Sequence, residues 1–79
     1  MRVRVLYFAS LRDAAGRNEE MLDIAMMSLA QLYEDARTRY GFAFPRERLR
    51  VAIDGAFSNW DAVLHDGAEI AFIPPVSGG

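Results

Sequence analysis

Polar and apolar residues alternate near both ends of the chain, which is typical of strands with one face in a core. The alternation after Met1, followed by β-branched and aromatic residues, predicts a first strand over residues 2–9. It returns at residues 69–73, where two prolines end the predicted strand. Three further strands are predicted, the first from a weak pattern and the last as a short edge strand: residues 19–24, 49–53 and 56–60.

In the middle of the chain the apolar spacing changes to that of a helix. Residues three and four apart share one face of a predicted helix over residues 29–40, namely Leu29, Leu32, Tyr33, Ala36 and Tyr40. Ser28 and Gln31 form a capping-box pattern at its beginning. Gly41 stands where a left-handed residue commonly ends a helix.

A shorter helical turn is predicted over residues 11–15, because Ser10 can cap it and Gly16 can end it.

Apart from this turn, the predicted elements follow the order strand, strand, helix, strand, strand, strand. This order indicates an α+β roll in which a mixed sheet of four to five strands wraps around one main helix. In such a roll the first and last strands can lie side by side and parallel.

Alternation also predicts an apolar surface on the outer side of the sheet. We expect five residues to face the helix, namely Val3, Val5 and Tyr7 of the first strand and Ile70 and Phe72 of the last. The apolar residues facing outward then form one patch beside the end of the chain: Leu6, Phe8, Ala71 and Ile73. Such a patch indicates a partner. The alternatives are that loops cover the patch or that the faces are reversed, but reversal would bury the charges of Arg2, Arg4 and Glu69.

Composition narrows the classes of function. Seventy-nine residues suffice for one domain, and a formal net charge of −2 argues against nucleic acid as a partner. The sequence has no cysteine, which excludes disulfides and thiolate chemistry, and no lysine, so no side-chain amine can accept an acyl group. Neither a signal peptide nor an apolar run of membrane-spanning length is recognisable, so a cytoplasmic location without membrane contact is expected.

No side chain stands out as a catalytic group or a metal ligand. His65, the only histidine, lies in a predicted turn without a partner at a recognised spacing and is expected to be exposed. A carboxylate group formed by Glu19, Glu20 and Asp23 is better explained as a solvated strand edge. Three arginines near the third strand form either a basic strip that meets an acidic partner or a solvated face: Arg46, Arg48 and Arg50.

The end of the chain carries a more specific signal. An alternating aromatic strand runs into Pro74-Pro75-Val76-Ser77-Gly78-Gly79 and stops there. This segment, from His65 onward, resembles the C-terminal signature of the small subunit of molybdopterin synthase. The opening segment of residues 5–16 is similar to that family as well, so the resemblance covers nearly the whole chain. Two turn positions depart from the family pattern, since Ala68 replaces an acidic residue and Asp54 replaces an asparagine.

The resemblance implies a ubiquitin-like β-grasp domain over residues 1–75 and a flexible Gly-Gly tail over residues 76–79. In this family the C-terminal carboxylate, here that of Gly79, is adenylated and converted into a thiocarboxylate. The thiocarboxylate then donates sulfur to a cyclic pyranopterin precursor in the active site of a large subunit. Gly78 keeps the tail narrow enough to enter that site. No cofactor is expected on the chain itself, because ATP is used by the activating enzyme.

The implied partners are the large subunit, the adenylating enzyme and a sulfur donor system. The expected contact residues are those of the apolar patch and the tail root: Leu6, Phe8, Ala71, Ile73, Pro74, Pro75 and Val76. Three alternative functions remain open at this point: a sulfur carrier for thiazole or another pathway, a ubiquitin-like protein modifier, and a simple binding module.

Overall fold

A computed structural model describes residues 1–75, and these form one mixed sheet with helices on one side. In chain order the elements are β1 (Arg2–Tyr7), α1 (Ala9–Ala15), β2 (Glu19–Asp23), α2 (Leu29–Tyr40), a 3₁₀ helix (Arg46–Arg48), β3 (Arg50–Ile53), β4 (Ala56–Phe57) and β5 (Glu69–Ile73). The strand order is β2-β1-β5-β3-β4, with β1 and β5 parallel and the other pairs antiparallel. This is the predicted α+β roll, with the β-grasp arrangement that the resemblance implies.

The core lies between α2 and the inner face of the sheet. Alternation places the odd-numbered residues of β1 inward, and the structure confirms this, since Val3 and Val5 are fully buried and Tyr7 is almost so. Ile70 and Phe72 of β5 are also fully buried. They meet the apolar face of the helix, which consists of Leu29, Leu32, Tyr33 and Ala36. The alternation in the strands and the helical spacing in α2 therefore predicted correctly which residues form the core.

The local sequence signals predicted the first and last residues of α2 correctly. Ser28 caps its beginning, with Oγ accepting a hydrogen bond from the backbone N–H of Gln31 at 3.3 Å. The Gln31 side chain donates to Asp35 at 2.9 Å instead of completing the reciprocal half of the capping box. At the other end Gly41 has a φ of 73° and donates its N–H to the carbonyl of Arg37, which is the left-handed ending predicted from the sequence.

The first helix begins earlier than predicted, and Ser10 is not its N-cap. The N-cap is Phe8, whose carbonyl accepts from the N–H of Leu11 at 3.0 Å, and no side chain caps this end. Ala9, at a φ of 50°, turns the chain from β1 directly into the helix. The sequence offers no sign of this turn, because non-glycine residues rarely adopt positive φ. The predicted ending at Gly16 is confirmed, with a φ of 74°.

The two strands joined by the turn at Asp54-Gly55, β3 and β4, are shorter than predicted. The third begins at Arg50 instead of Leu49, and β4 ends at Phe57 instead of continuing to Trp60. Trp60 leaves the sheet and packs over the inner face, where its ring stacks on Phe72 at 6.0 Å between centroids. Core packing of this aromatic ring therefore limits the length of the edge strand.

Candidate functional site

The parallel pairing of β1 and β5 brings the two predicted halves of the apolar patch together. Leu6 lies opposite Ala71 in the register of these strands, and the C-terminal ends of both strands meet at the same edge of the sheet. Phe8 follows β1 and Ile73 ends β5 at that edge. Phe8 is 44% exposed, while Leu6, Ala71 and Ile73 are half-buried. The four residues therefore lie where the alternation predicts them.

Two further residues extend this surface. Ala52 lies opposite Ala71 in the register of β3 and β5, and Phe57 lies opposite Ala52 in the adjoining hairpin. Phe57 is 68% exposed, whereas the small side chain of Ala52 is almost covered. Neither residue was predicted from the sequence, although the register of the hairpin around Asp54-Gly55 would have placed both on the outer face. We call the six residues the outer patch: Leu6, Phe8, Ala52, Phe57, Ala71 and Ile73.

The last described residues form the root of the tail. Pro74 is buried in the domain and Pro75 is exposed, so Pro74 offers little surface to a partner although it was predicted to contact one. Its burial fixes the direction in which the chain leaves the sheet. The predicted contact residue Val76, together with Gly78 and Gly79, lies outside the described residues.

Next to the tail root is an open surface cavity of about 220 Å³. Arg48, Arg50, Ile73, Pro74 and Pro75 line it. Arg50 is opposite Ile73 in the register of β3 and β5, so its side chain borders the outer patch. The edge of the patch nearest the tail is therefore cationic.

The opposite end of the outer face carries arginines, and each of them lies near a carboxylate of the same domain. Arg2 forms two hydrogen bonds of 3.2 Å with Asp23, and Arg4 lies 3.8 Å from Glu19 and 3.7 Å from Glu69. The bond to Arg2 lowers the pKa of Asp23. Each arginine here thus has a carboxylate neighbour within the domain.

Glu20 contradicts the expectation of a solvated acidic edge. Its side chain is 6% exposed, and it faces the inner side of β2 instead of solvent. The hydroxyl groups of Tyr7 and Tyr40 donate to its carboxylate at 2.5 Å and 2.8 Å, and the guanidinium groups of Arg17 and Arg39 lie within 3.4 Å. Burial, and then the hydrogen bond to Glu20, raise the pKa of Tyr7 well above its ordinary value.

His65 is exposed, as predicted, and joins two turns on the surface. Its Nδ1 donates to the carbonyl of Asp66 at 2.9 Å, and Nε2 lies 2.8 Å from Oδ2 of Asp54. Oδ1 of Asp54 accepts from the backbone N–H of Glu69. Because both ring nitrogens face acceptors, the protonated ring is favoured. The contact with Asp66, and then that with Asp54, raise the pKa of His65.

Neither a metal site nor a membrane-spanning helix is found in the part of the chain that the structure describes. Within residues 1–75, no three histidine, aspartate or glutamate side chains are grouped so that they could hold a metal ion. No helix in the same range combines the length and the apolar character needed to cross a membrane.

Known proteins resemble this chain over its whole length. The model of the ThiS family matches residues 5–79. The molybdopterin synthase sulfur carrier subunit of Escherichia coli is 31% identical over 80 residues, which cover 98% of this chain and 99% of that protein. SAMP1 of Haloferax volcanii has a similar structure, with a TM-score of 0.83 at 20% identity and full coverage of both chains.

A further structural match comes from a complex. It contains subunits 1 and 2 of the molybdopterin-converting factor of Helicobacter pylori, and its matching chain has a TM-score of 0.70 at 22% identity with full coverage of both chains. At this level of identity the match supports the ubiquitin-like β-grasp fold. Because the family model matches nearly all residues and the Escherichia coli protein exceeds 30% identity over the full length, the chain belongs to the ThiS family and is a relative of the molybdopterin synthase sulfur carrier subunits.

Proposed function

We propose that this chain is the sulfur carrier subunit of molybdopterin synthase and that its working group is the carboxylate of Gly79. The observation that carries the proposal is the similarity to the Escherichia coli sulfur carrier subunit over 98% of this chain, together with the match to the ThiS family model, which extends to residue 79. The outer patch beside the tail root supports it, because it offers a surface on which a larger subunit can dock while the tail enters its active site.

The chemistry follows from the low reactivity of a carboxylate. At neutral pH the carboxylate is ionised and is a poor electrophile, so it must be activated before sulfur can be attached. An activating enzyme transfers AMP from ATP to the carboxylate and releases pyrophosphate. A sulfur donor then displaces AMP and leaves a thiocarboxylate on Gly79. The sulfur then bonds to cyclic pyranopterin monophosphate, and water cleaves its bond to the Gly79 acyl group, which leaves the sulfur on the precursor and regenerates the carboxylate. Two such transfers complete the molybdopterin dithiolene.

The domain itself supplies binding and orientation in this proposal. ATP is handled by the activating enzyme, the large subunit contains the active site, and the chain carries no cofactor of its own. A complex between two subunits of this kind exists for the Helicobacter pylori relative. A cytoplasmic location, where ATP and the precursor are available, remains part of the proposal.

The decisive experiment adds one alanine after Gly79. The added peptide bond converts the carboxylate into an amide and displaces the new terminus by up to about 3.6 Å. Because reacting groups must meet within about 3–3.5 Å, we expect sulfur transfer to be lost. Binding to the large subunit should remain, since the outer patch is unchanged. The matched control is His65→Ala, which should retain transfer once results are normalised to the fraction of chains loaded with sulfur.

The assay combines the chain, the large subunit, the activating enzyme, ATP and a sulfur source, with intact mass to detect the thiocarboxylate. Full sulfur transfer by the extended variant would refute the proposal. A variant His65→Ala that folds and binds but transfers no sulfur would reveal a side-chain role that the proposal omits.

A protein modifier is the second candidate, supported by the structural similarity to SAMP1, which is named as a small archaeal modifier protein. The same terminal carboxylate would then form an amide with a lysine of a target protein. Conjugates of higher mass on a denaturing gel, dependent on the activating enzyme, would identify this function. The chain contains no lysine, so branched chains linked through its own side chains are excluded.

A further inference from the structure

Two arginines beside the tail root differ from all others in the described part of the chain. Within residues 1–75, seven arginines have a carboxylate oxygen within 4 Å: Arg2, Arg4, Arg12, Arg17, Arg37, Arg39 and Arg46. Arg48 and Arg50 have none in this range, and both line the cavity at the tail root. The positive charge that the domain leaves uncompensated is therefore concentrated where the tail begins.

Aromatic rings hold both guanidinium groups in place. The Cζ atom of Arg48 lies 5.8 Å from the centroid of the Phe44 ring, and that of Arg50 lies 5.4 Å from the centroid of Phe57. A cation over an aromatic face at this distance is attracted to it, yet its N–H donors remain available to an acceptor. Both arginines are exposed to solvent. Because the rings of Phe44 and Phe57 orient them, the pair is arranged before a partner binds.

From this arrangement we infer that Arg48 and Arg50 form the cationic part of the docking surface and pair with carboxylates of the large subunit. These carboxylates lie around the entrance of the channel that takes up residues 76–79. The inference rests on the proposed function, since it assigns the arginines to the same binding event. Continuity with the outer patch carries it, because Arg50 lies opposite Ile73 in the strand register and its guanidinium group lies over the ring of Phe57, and both residues belong to that patch. The positive charge without a carboxylate neighbour in residues 1–75 indicates that the partner surface is acidic.

A protein surface explains the pair better than a phosphate group on the tail. Four residues follow Pro75, whereas the two arginines line the root of the tail, where a docked subunit would make contact. Nucleic acid is disfavoured by the net charge of −2. A protein surface that surrounds the tail root meets the two guanidinium groups at contact distance.

The test measures affinity and association rate for the large subunit as a function of salt. The double variant Arg48→Gln/Arg50→Gln removes two charges, and Arg2→Gln with Arg4→Gln is the matched control at the opposite end of the outer face. At about 0.05 M salt we expect the first pair to weaken binding by about tenfold, mainly through slower association. The loss should nearly disappear at about 1 M salt, where screening acts within about 3 Å. The control variant loses the same two charges, but at the end of the outer face opposite the tail root, so it should bind within about twofold of wild type.

Equal affinity of the Arg48→Gln/Arg50→Gln variant and wild type at low salt would overturn the inference and leave the proposed function intact. A loss that persists undiminished at high salt would also overturn it, since the contact would not be ionic. Normal binding combined with a defect in ATP-dependent activation would assign the pair to the activating enzyme and reject the large subunit as the partner. Failure of wild type itself to bind would remove the proposed function and this inference together. Thermal unfolding of each variant establishes that the fold is retained.

Discussion

Replacement of Glu20 tests how much the stability of the domain depends on this one buried carboxylate and on the side chains bonded to it. Glu20 joins β2 to β1 through Tyr7 and to the end of α2 through Tyr40. Glu20→Ala removes the common acceptor of both hydroxyl groups and the neighbour of Arg17 and Arg39. Hydrogen bonds to charged groups contribute about 1.5–3 kcal/mol each. Because the arginines are about half exposed and can return to water, most of the loss comes from the tyrosines.

We therefore expect Glu20→Ala to lower the free energy of unfolding by about 3–6 kcal/mol, because two hydroxyl groups each lose a bond to a charged acceptor worth about 1.5–3 kcal/mol. For a domain of this size about 1 kcal/mol corresponds to roughly 4–8 °C in Tm, so a decrease of more than about 12 °C should result. Tyr40→Phe, which removes only one of the two hydroxyl bonds, should cost about 1.5 kcal/mol.

Urea denaturation followed by circular dichroism measures these differences. The matched control is Glu19→Ala in the same strand, where an exposed carboxylate lies 3.8 Å from Arg4 and a loss below about 1 kcal/mol is expected. If Glu20→Ala and Glu19→Ala differ by less than about 1 kcal/mol, the cluster contributes no more than an exposed ion pair, and the reasoning from burial is wrong. Combining Glu20→Gln with Tyr40→Phe in a double-mutant cycle measures their coupling directly.

Three further predictions concern the patch, a surface turn and a helix end. Phe8→Asp should preserve the fold, because aspartate is a good N-cap at the position that Phe8 occupies, yet weaken binding to the large subunit by about 2 kcal/mol. Titration calorimetry measures this against Met21→Asp, an exposed residue at the far end of the same face, and equal effects would reject the outer patch as the interface. His65 has a pKa raised above 6.5, so its contact with Asp54 should stabilise the fold below that pH and be lost as the pH rises through the raised value. Asp54 has a pKa lowered below 3.8. Its contribution to the stability of the fold is therefore present above pH 3.8 and is lost as the pH falls through the lowered pKa. The Tm difference between wild type and His65→Gln should accordingly narrow as the pH rises above 6.5, and a difference independent of pH would contradict this assignment. Gly41→Ala should cost about 1 kcal/mol through backbone strain alone, since a Cβ there meets no atom within 4 Å but φ is 73°; unchanged stability in urea would contradict this.

The elements that the sequence predicted well are those defined by local chemistry. Helix α2 has a capping serine, a regular apolar face and a glycine ending, and it spans the predicted residues. Strand β5 alternates clearly between a glycine turn and two prolines, and it also has its predicted limits. Each of these signals depends on neighbours within a few residues, so no information on the tertiary structure was needed.

Features that depend on distant contacts were not predictable in the same way. Glu20 stands among acidic residues at a strand edge, and only the packing of Tyr7 and Tyr40 around it reveals a buried position. The early start of α1 depends on the positive φ of Ala9, for which the sequence gives no sign. Phe57 required the strand register rather than the alternation of a single strand. Sequence patterns thus assigned faces, whereas pairing between elements decided which residues complete the site.

The position of the tail root connects the fold to the proposed chemistry. Strand β5 carries Ala71 and Ile73 of the outer patch, and its next residue, Pro74, is buried. A partner that docks on the patch therefore contacts the same strand from which residues 76–79 continue. Because β5 lies in the middle of the sheet between β1 and β3, its position is fixed by hydrogen bonds on both sides. Docking then determines the point and direction from which the tail starts, and the proposed reactive carboxylate lies within about 14 Å of a rigid anchor. In the proposed function, the domain can in this way control where its terminal group reacts.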